Sequence, residues 1–170
     1  MRIRRLSQFP EFLPAGARLV EEYIRLPDAW EWLGHVPDEL PPVLAAVVSD
    51  YPAAAVPPDG DVLLVTKADE LVAQGVLVRH DAESGRLERM YVRPPFRRRG
   101  IATSLVGQLM GVARELGYRR VVLDVMATRN EAIRLYDRLG FRAIEPYATP
   151  HLPMRFIGLD LPTTGPRRQE

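Results

Sequence analysis

The sequence predicts one domain of mixed α/β class, on three observations. The chain has 170 residues, 46% of them hydrophobic, enough for one sizeable core and too few for two ordinary ones. Three consecutive segments from Asp61 to Val92 are rich in β-branched and alternating apolar residues, the pattern of a strand meander. Beyond Pro95 the apolar spacing changes to three and four, and helical segments then alternate with strands to Leu161.

Taken in order, residues 7–60 hold nine of the 16 prolines. Proline interrupts helices, so Ala15–Leu26 and Val43–Val48 are expected as short helices between breaks. Asp61–Thr66 and Leu71–Val78 are expected strands, joined by a hairpin turn at Lys67-Ala68-Asp69-Glu70. Asp81–Gly85 makes a second polar turn, and Arg86–Val92 a third strand that Pro94 and Pro95 end, because proline has no N–H for the ladder. Apolar residues at 101, 105, 106, 109, 112, 113 and 116 predict a helix over Ile101–Leu116, with Gly117 as its C-terminal cap. Gly107 and Gly111 inside it are expected to pack closely on the sheet. A strand over Tyr118–Asp124 follows, then a helix over Asn130–Leu139 with Asn130 as N-cap and Gly140 at its end. Phe141–Ile144 and Met154–Leu161 are the last expected strands. One domain is therefore expected over residues 1–162, with a frayed tail from 163 to 170.

Composition excludes whole classes of function. With no cysteine there is no disulfide, thiol nucleophile or Cys-based zinc site. His35, His80 and His151 stand far apart without ligand-like spacing, so no metal is expected and the three are read as surface or structural residues. No apolar run approaches the ~20 residues of a membrane span. No long apolar stretch follows the basic N-terminus, so no membrane partner is expected and the protein reads as cytoplasmic. The net charge of +1 conceals an asymmetry: −4 over residues 1–60, −3 over 61–85 and +8 over 86–170. A basic half suits an anionic partner, either nucleic acid or a phosphorylated cofactor. The arginines are scattered and not interleaved with aromatics, which disfavours nucleic acid.

The segment Tyr91-Val92-Arg93-Pro94-Pro95-Phe96-Arg97-Arg98-Arg99-Gly100-Ile101-Ala102 carries the chemistry. A strand ends, an arginine-rich loop turns, and a helix opens at a glycine. Unpaired amides at such a helix start, with the positive end of its dipole, can cradle a pyrophosphate. Gly100 lets the backbone approach, and the arginines add charge. Neither G-x-x-x-x-G-K-[ST] nor G-x-G-x-x-G is present, which removes the main support for ATP hydrolysis and Rossmann dinucleotide binding.

Arg97-x-x-Gly100-x-Ala102 resembles the [QR]-x-x-G-x-[GA] acyl-CoA motif of the GNAT superfamily of N-acetyltransferases. Leu87–Pro94, Asn130-Glu131-Ala132-Ile133-Arg134-Leu135-Tyr136 and Leu139-Gly140-Phe141 resemble further segments of that family. The resemblance is close over Leu87–Ala143 and weak over residues 1–60, the part that shapes the acceptor site in such proteins. It implies a twisted, mostly antiparallel sheet of six to seven strands flanked by helices. It also implies acetyl-CoA as cosubstrate, bound by residues 61–162, and direct transfer to an amine. Met90, Tyr91 and Val92 would then face the pantetheine arm, with main-chain groups of Met90 and Val92 where their strand splays from Tyr118–Asp124. Arg97, Arg98, Arg99, Gly100, Ile101, Ala102 and Thr103 would enclose the pyrophosphate, and Asn130 would lie beside the arm. Tyr136 matches the family tyrosine that protonates the departing thiolate. Glu88 is a candidate base for the amine, because strand alternation sets it on the face of Met90 and Val92.

Each assignment has an alternative. Tyr136 shares an apolar stripe with Ile133 and Leu139, as a core residue would. Glu88 is placed to pair with Arg86 or Arg89. Trp30 and Trp32 are candidates for an acceptor pocket, or one core and one rim residue. The acceptor is a small-molecule or peptide amine, the protein is a monomer or homodimer, and the alternative function is an acyl-CoA-binding module with little turnover.

Overall fold

A seven-stranded sheet organises the computed structural model of the chain, which describes residues 1–31, 33–53, 55–150 and 152–162. Its strands are β1 (Arg2–Arg5), β2 (Asp61–Lys67), β3 (Glu70–Arg79), β4 (Ser84–Val92), β5 (Arg120–Met126), β6 (Arg142–Ala143) and β7 (Met154–Asp160). They lie in the order β1-β2-β3-β4-β5-β7-β6, antiparallel throughout except for β4 beside β5. Helices α1 (Leu13–Ile24) and α2 (Pro42–Ser49) cover one face, and α3 (Ile101–Glu115) and α4 (Asn130–Arg138) the other. This is the mixed α/β architecture expected, with one strand more than the residue pattern alone predicts. Among the described residues no helix is long and apolar enough to cross a membrane.

Two cores follow from strand alternation. Val62, Leu64, Val76 and Tyr91 pack against Leu19, Val20 and Ile24 of α1. Leu63, Ala73, Leu77 and Leu87 pack against Leu105, Leu109 and Val112 of α3 and Ile133 of α4. Each fully buried leucine contributes about 1.5–3 kcal/mol by leaving water. Helices α3 and α4 both end at a glycine. Gly117 and Gly140 sit at φ of +86° and +94°, and the residue after each returns its N–H to the helix, Tyr118 to Ala113 O at 2.9 Å and Phe141 to Tyr136 O at 3.0 Å. A left-handed residue at this point is the usual means of satisfying terminal carbonyls.

Several boundaries differ from expectation for local reasons. β1 was not foreseen, because Arg2-Ile3-Arg4-Arg5 offers a single apolar residue; its ladder to Leu63–Thr66 makes it a strand. β5 begins at Arg120 rather than Tyr118, since the helix ending occupies Gly117 and Tyr118. Arg129 takes the cap position of α4, and Asn130 is the first helical residue, with no side-chain cap bond. A Cβ at Gly107 or Gly111 would meet nothing within 4 Å, so these glycines do not pack on the sheet but border an open groove beside Ile3 and Gln8. Trp30 is a core residue whose Nε1 donates to Ile24 O at 2.7 Å. Trp32, His151 and the tail 163–170 lie outside the described residues.

Gly60, just before β2, is fixed by sterics. A Cβ there would lie 2.1 Å from Leu77 O, a backbone atom that cannot rotate away. Gly60→Ala is therefore expected to destabilise the fold by about 3 kcal/mol, as overpacking against a rigid neighbour does. Urea unfolding checks it, and a midpoint equal to wild type would refute it.

Candidate active site

The site begins with a break in the sheet. β4 pairs with β5 only from Ser84 to Arg86, against Arg120–Val122, and beyond that the two strands part. The cause lies in β4, where Glu88 opposes Val76 but Tyr91 opposes Gln74, so one extra residue is inserted. Arg89 within this bulge adopts φ of +49°, and a bulge of this kind bends its strand. Arg93 donates its N–H to Val72 O of β3 at 2.9 Å. Alternation then turns the main-chain groups of Val92, and of Met90 two residues earlier, away from β3 toward the gap. Arg97 Nε donates to Val92 O at 2.9 Å.

The bulge also overturns one expectation. Glu88 is paired with Val76, whose side chain belongs to the α1 core, whereas Met90 and Val92 pack with the α3 core. The inserted residue changes the phase, so Glu88 lies on the opposite face from Met90 and Val92. It shares its face with Tyr91, the side toward α1 and residues 1–60. There Glu88 is ion-paired with Arg86, and with Arg89 at 3.3 Å.

Two helices start at the mouth of the gap. α3 follows β4 through the turn Pro94–Phe96 and the segment Arg97-Arg98-Arg99. Gly100 at φ +74° caps it in the left-handed region, no side chain caps its amides, and no acid occupies its first turn. A Cβ on Gly100 would meet nothing within 4 Å, so the space in front of Ile101, Ala102 and Thr103 is open. Arg98 and its partner Glu131, at 3.3 Å, are both exposed, and Arg99 lies over the Phe96 ring at 5.9 Å. α4 follows β5, and Asn130 stands exposed at its first turn.

Tyr136 of α4 is buried in the α3-side core, edge-on to Phe141 with ring centroids 5.4 Å apart. Its hydroxyl makes no hydrogen bond among the described residues. Burial pushes that hydroxyl well above the usual tyrosine range; Tyr23 adds to the rise and the Arg129 guanidinium opposes it. Tyr136 therefore packs as the core side chain its apolar stripe predicts, with its hydroxyl proton unengaged among the described residues.

Two clusters on the α1 face were not foreseen. Arg129, immediately before α4, donates to Asp28 at 2.6 and 3.2 Å and to the Tyr23 hydroxyl at 3.0 Å. Tyr23 in turn lies 6.3 Å from the Tyr91 ring. In the second cluster Tyr147, in the loop before β7, donates to Asp124 of β5 at 2.6 Å and lies tilted against the His80 ring, centroids 4.6 Å apart. Burial first, and then the bond to Asp124, push the Tyr147 hydroxyl up, and the charges of Arg86 and Glu88 also reach it. Asp124 has a sequence signal, as the one acid inside the apolar run Val121–Val125. Tyr147 has none.

Acetyl-CoA was the cosubstrate expected, and the residues present fit it. A pyrophosphate needs unpaired amides at an open, positively polarised helix start, which α3 supplies at Gly100. A slender amide-bearing arm needs main-chain partners, which the gap-facing groups of Met90 and Val92 supply. A sheet split at β4 and β5, with a glycine-opened helix at the split, makes this an α/β protein with an open, positively polarised cleft inside its sheet.

Residues 19–141 match the model of the acetyltransferase (GNAT) family, and the chain belongs to that family. It is 33% identical over 100 residues to an uncharacterised N-acetyltransferase of Schizosaccharomyces pombe, covering 57% of this chain. The chain spans only about three fifths of that relative, 61% of its length. Its fold is that of an acetyltransferase from Streptococcus agalactiae, with a TM-score of 0.74 and 18% identity over 94% of this chain and 98% of the other. A GNAT family acetyltransferase from Elizabethkingia anophelis, solved with acetyl-CoA bound, has a TM-score of 0.58 at 18% identity, over 75% of this chain and 95% of that one.

Proposed function

We propose that the chain moves an acetyl group from acetyl-CoA directly to a primary amine of a small molecule or peptide. The observation that carries this reading is the gap between β4 and β5, with the uncapped Gly100 helix start at its mouth. Acetyl-CoA supplies an activated acyl thioester. The amides of Arg97 to Thr103 hold its pyrophosphate, with Arg97, Arg98 and Arg99 adding charge, and the main chain of Met90 and Val92, with Tyr91 between them and Asn130 alongside, guides its pantetheine arm.

The acceptor enters from the α1 face, where Glu88, Asp124 and Tyr147 gather. Glu88 takes the proton from the amine, directly or through water, so that the lone pair is free to attack. Tyr136 gives its proton to the departing sulfur. With no cysteine in the chain, no thiol intermediate intervenes. Release of free thiol on mixing the protein with acetyl-CoA and a panel of amines tests the reading, and no release above the hydrolysis blank with any amine would refute it.

One observation favours the second reading, an acyl-CoA-binding module with little turnover. Glu88 is held by two arginines and must release at least one to meet an amine. The thiol-release assay separates the two, and Glu88→Gln tests the base. If Glu88 is the base, kcat/KM falls on the order of 100-fold while acetyl-CoA affinity is unchanged. A variant as fast as wild type would remove Glu88 from the chemistry.

A further inference from the structure

We infer that Asp124 is a specificity-determining residue: its carboxylate receives an acceptor that arrives as a cation, so the substrates are alkylamines rather than arylamines. This rests on reading the α1 face as the acceptor's entrance. The placement follows from register. β4 and β5 are last paired at Arg86 and Val122, and two residues further along each strand, on the same face, stand Glu88 and Asp124. The two cores identify that face. Glu88 opposes Val76 of the α1 core, whereas Val121, Leu123 and Val125, which alternate with Asp124, belong to the α3 core. Asp124 is therefore the first side chain on the acceptor face of β5 beyond the point where the sheet splits.

The two carboxylates at the split differ in what balances them. Glu88 is ion-paired with Arg86 and Arg89. Asp124 is exposed, and among the described residues its side chain meets the Tyr147 hydroxyl at Oδ1 and no cation. Of the two, Asp124 carries the charge that no arginine offsets. Tyr147 is itself well held. Its ring stands edge-on to Phe156, centroids 4.8 Å apart, and Phe156 is the β7 residue opposite Asp124. A hydroxyl fixed at Oδ1 orients the carboxylate and leaves Oδ2 to accept from a substrate. Residues 1–60 carry a net charge of −4, and a field of that sign draws cations toward this side.

An alkylamine, like the lysine side chain with its pKa of ~10.4, is an ammonium with three donors at neutral pH. An arylamine is neutral there and offers Asp124 no charge. Receiving the cation is distinct from taking its proton, which falls to Glu88. A Tyr147–Asp124 pair that merely anchored the loop before β7 would behave differently under substitution. Asp124→Asn keeps an oxygen for the Tyr147 hydroxyl but removes the charge, whereas Tyr147→Phe removes the anchor and keeps the charge. Glu39→Gln removes a different exposed acid from the acceptor half, which separates one local carboxylate from overall charge.

The probes are n-hexylammonium and 1-hexanol, equal in length, titrated by ligand-observed NMR against the protein holding CoA, where no transfer can occur. Wild type is expected to bind the ammonium about tenfold tighter, the low end for a hydrogen bond to a charged group, because Asp124 is exposed. Asp124→Asn loses that preference, Tyr147→Phe keeps about half of it or more, and Glu39→Gln keeps it whole. Equal affinity of wild type for the two probes would overturn the inference. So would a preference that survives in Asp124→Asn, or an equal loss in Glu39→Gln. Thiol release tells which reading failed. If no amine releases thiol while the Asp124-dependent preference stands, acetyl transfer falls and the cation site remains. If thiol is released but the preference ignores Asp124, or arylamines outpace every alkylamine, this inference alone falls.

Discussion

Tyr136→Phe is expected to lower kcat by ~100- to 10,000-fold, the usual contribution of a general acid, while the protein stays folded and binds acetyl-CoA as before. The structure makes this an unusually clean substitution. The ring is held by packing, edge-on to Phe141, and phenylalanine keeps that contact. No hydrogen bond within the described residues is lost with the hydroxyl, so no buried partner is orphaned. Burial pushes the hydroxyl above the usual tyrosine range, so at neutral pH it has a proton to give. Tyr136→Ala is the contrasting change: it empties a core position and should cost about 3–5 kcal/mol. Turnover at saturating acetyl-CoA, on whichever amine proves active, decides the matter. A phenylalanine variant within about twofold of wild type, far short of that range, would leave Tyr136 as a core residue and nothing more.

Gly100→Val should weaken acetyl-CoA binding roughly a thousandfold. A β-branched residue at φ +74° carries strain of about 1–2 kcal/mol, which lowers stability with or without ligand, and its methyls would occupy the open space before the first turn of α3. Losing two charge-assisted bonds of about 1.5–3 kcal/mol each accounts for the loss of affinity. Arg98→Ala should cost only a fewfold, because Arg98 and its partner Glu131 are both exposed and screened by solvent. Titration of acetyl-CoA against both variants checks the contrast. If the arginine variant binds nothing and the valine variant binds normally, side chains rather than main chain hold the pyrophosphate.

What was legible in the sequence had a local cause. Gly117 and Gly140 announced helix ends because only glycine is comfortable at those angles, and Gly100 announced the helix start for the same reason. Continuous β-rich runs located β2 and β3 because both faces of those strands are buried, and alternation located β4. What was not legible depends on residues far apart or on a single inserted one. The bulge at Arg89 falls opposite Gly75 of β3, but β4 itself carries no glycine there, so the face of Glu88 could not be read by counting in twos. The Arg129–Asp28 pair spans 101 residues of sequence, and nothing near either residue signals the other. Arg2–Arg5 became a strand only because β2 offered it a free edge. Gly107 and Gly111 were misread because a small residue marks open groove as readily as tight contact.

The parting of β4 from β5 has a consequence for selectivity by shape. A sheet ordinarily has two outer rims; this one has, in addition, a slot inside it, walled above and below by helix layers. An outer rim can accept another protein's strand and so invites association. A slot that opens from ordinary strand spacing, about 4.8 Å, between two helix layers suits a single extended chain better than the edge of a neighbouring sheet. The molecule thereby keeps unsatisfied backbone available for a slender, flexible guest while withholding it from its own kind. Thickness, rather than chemical detail, becomes the first criterion of entry.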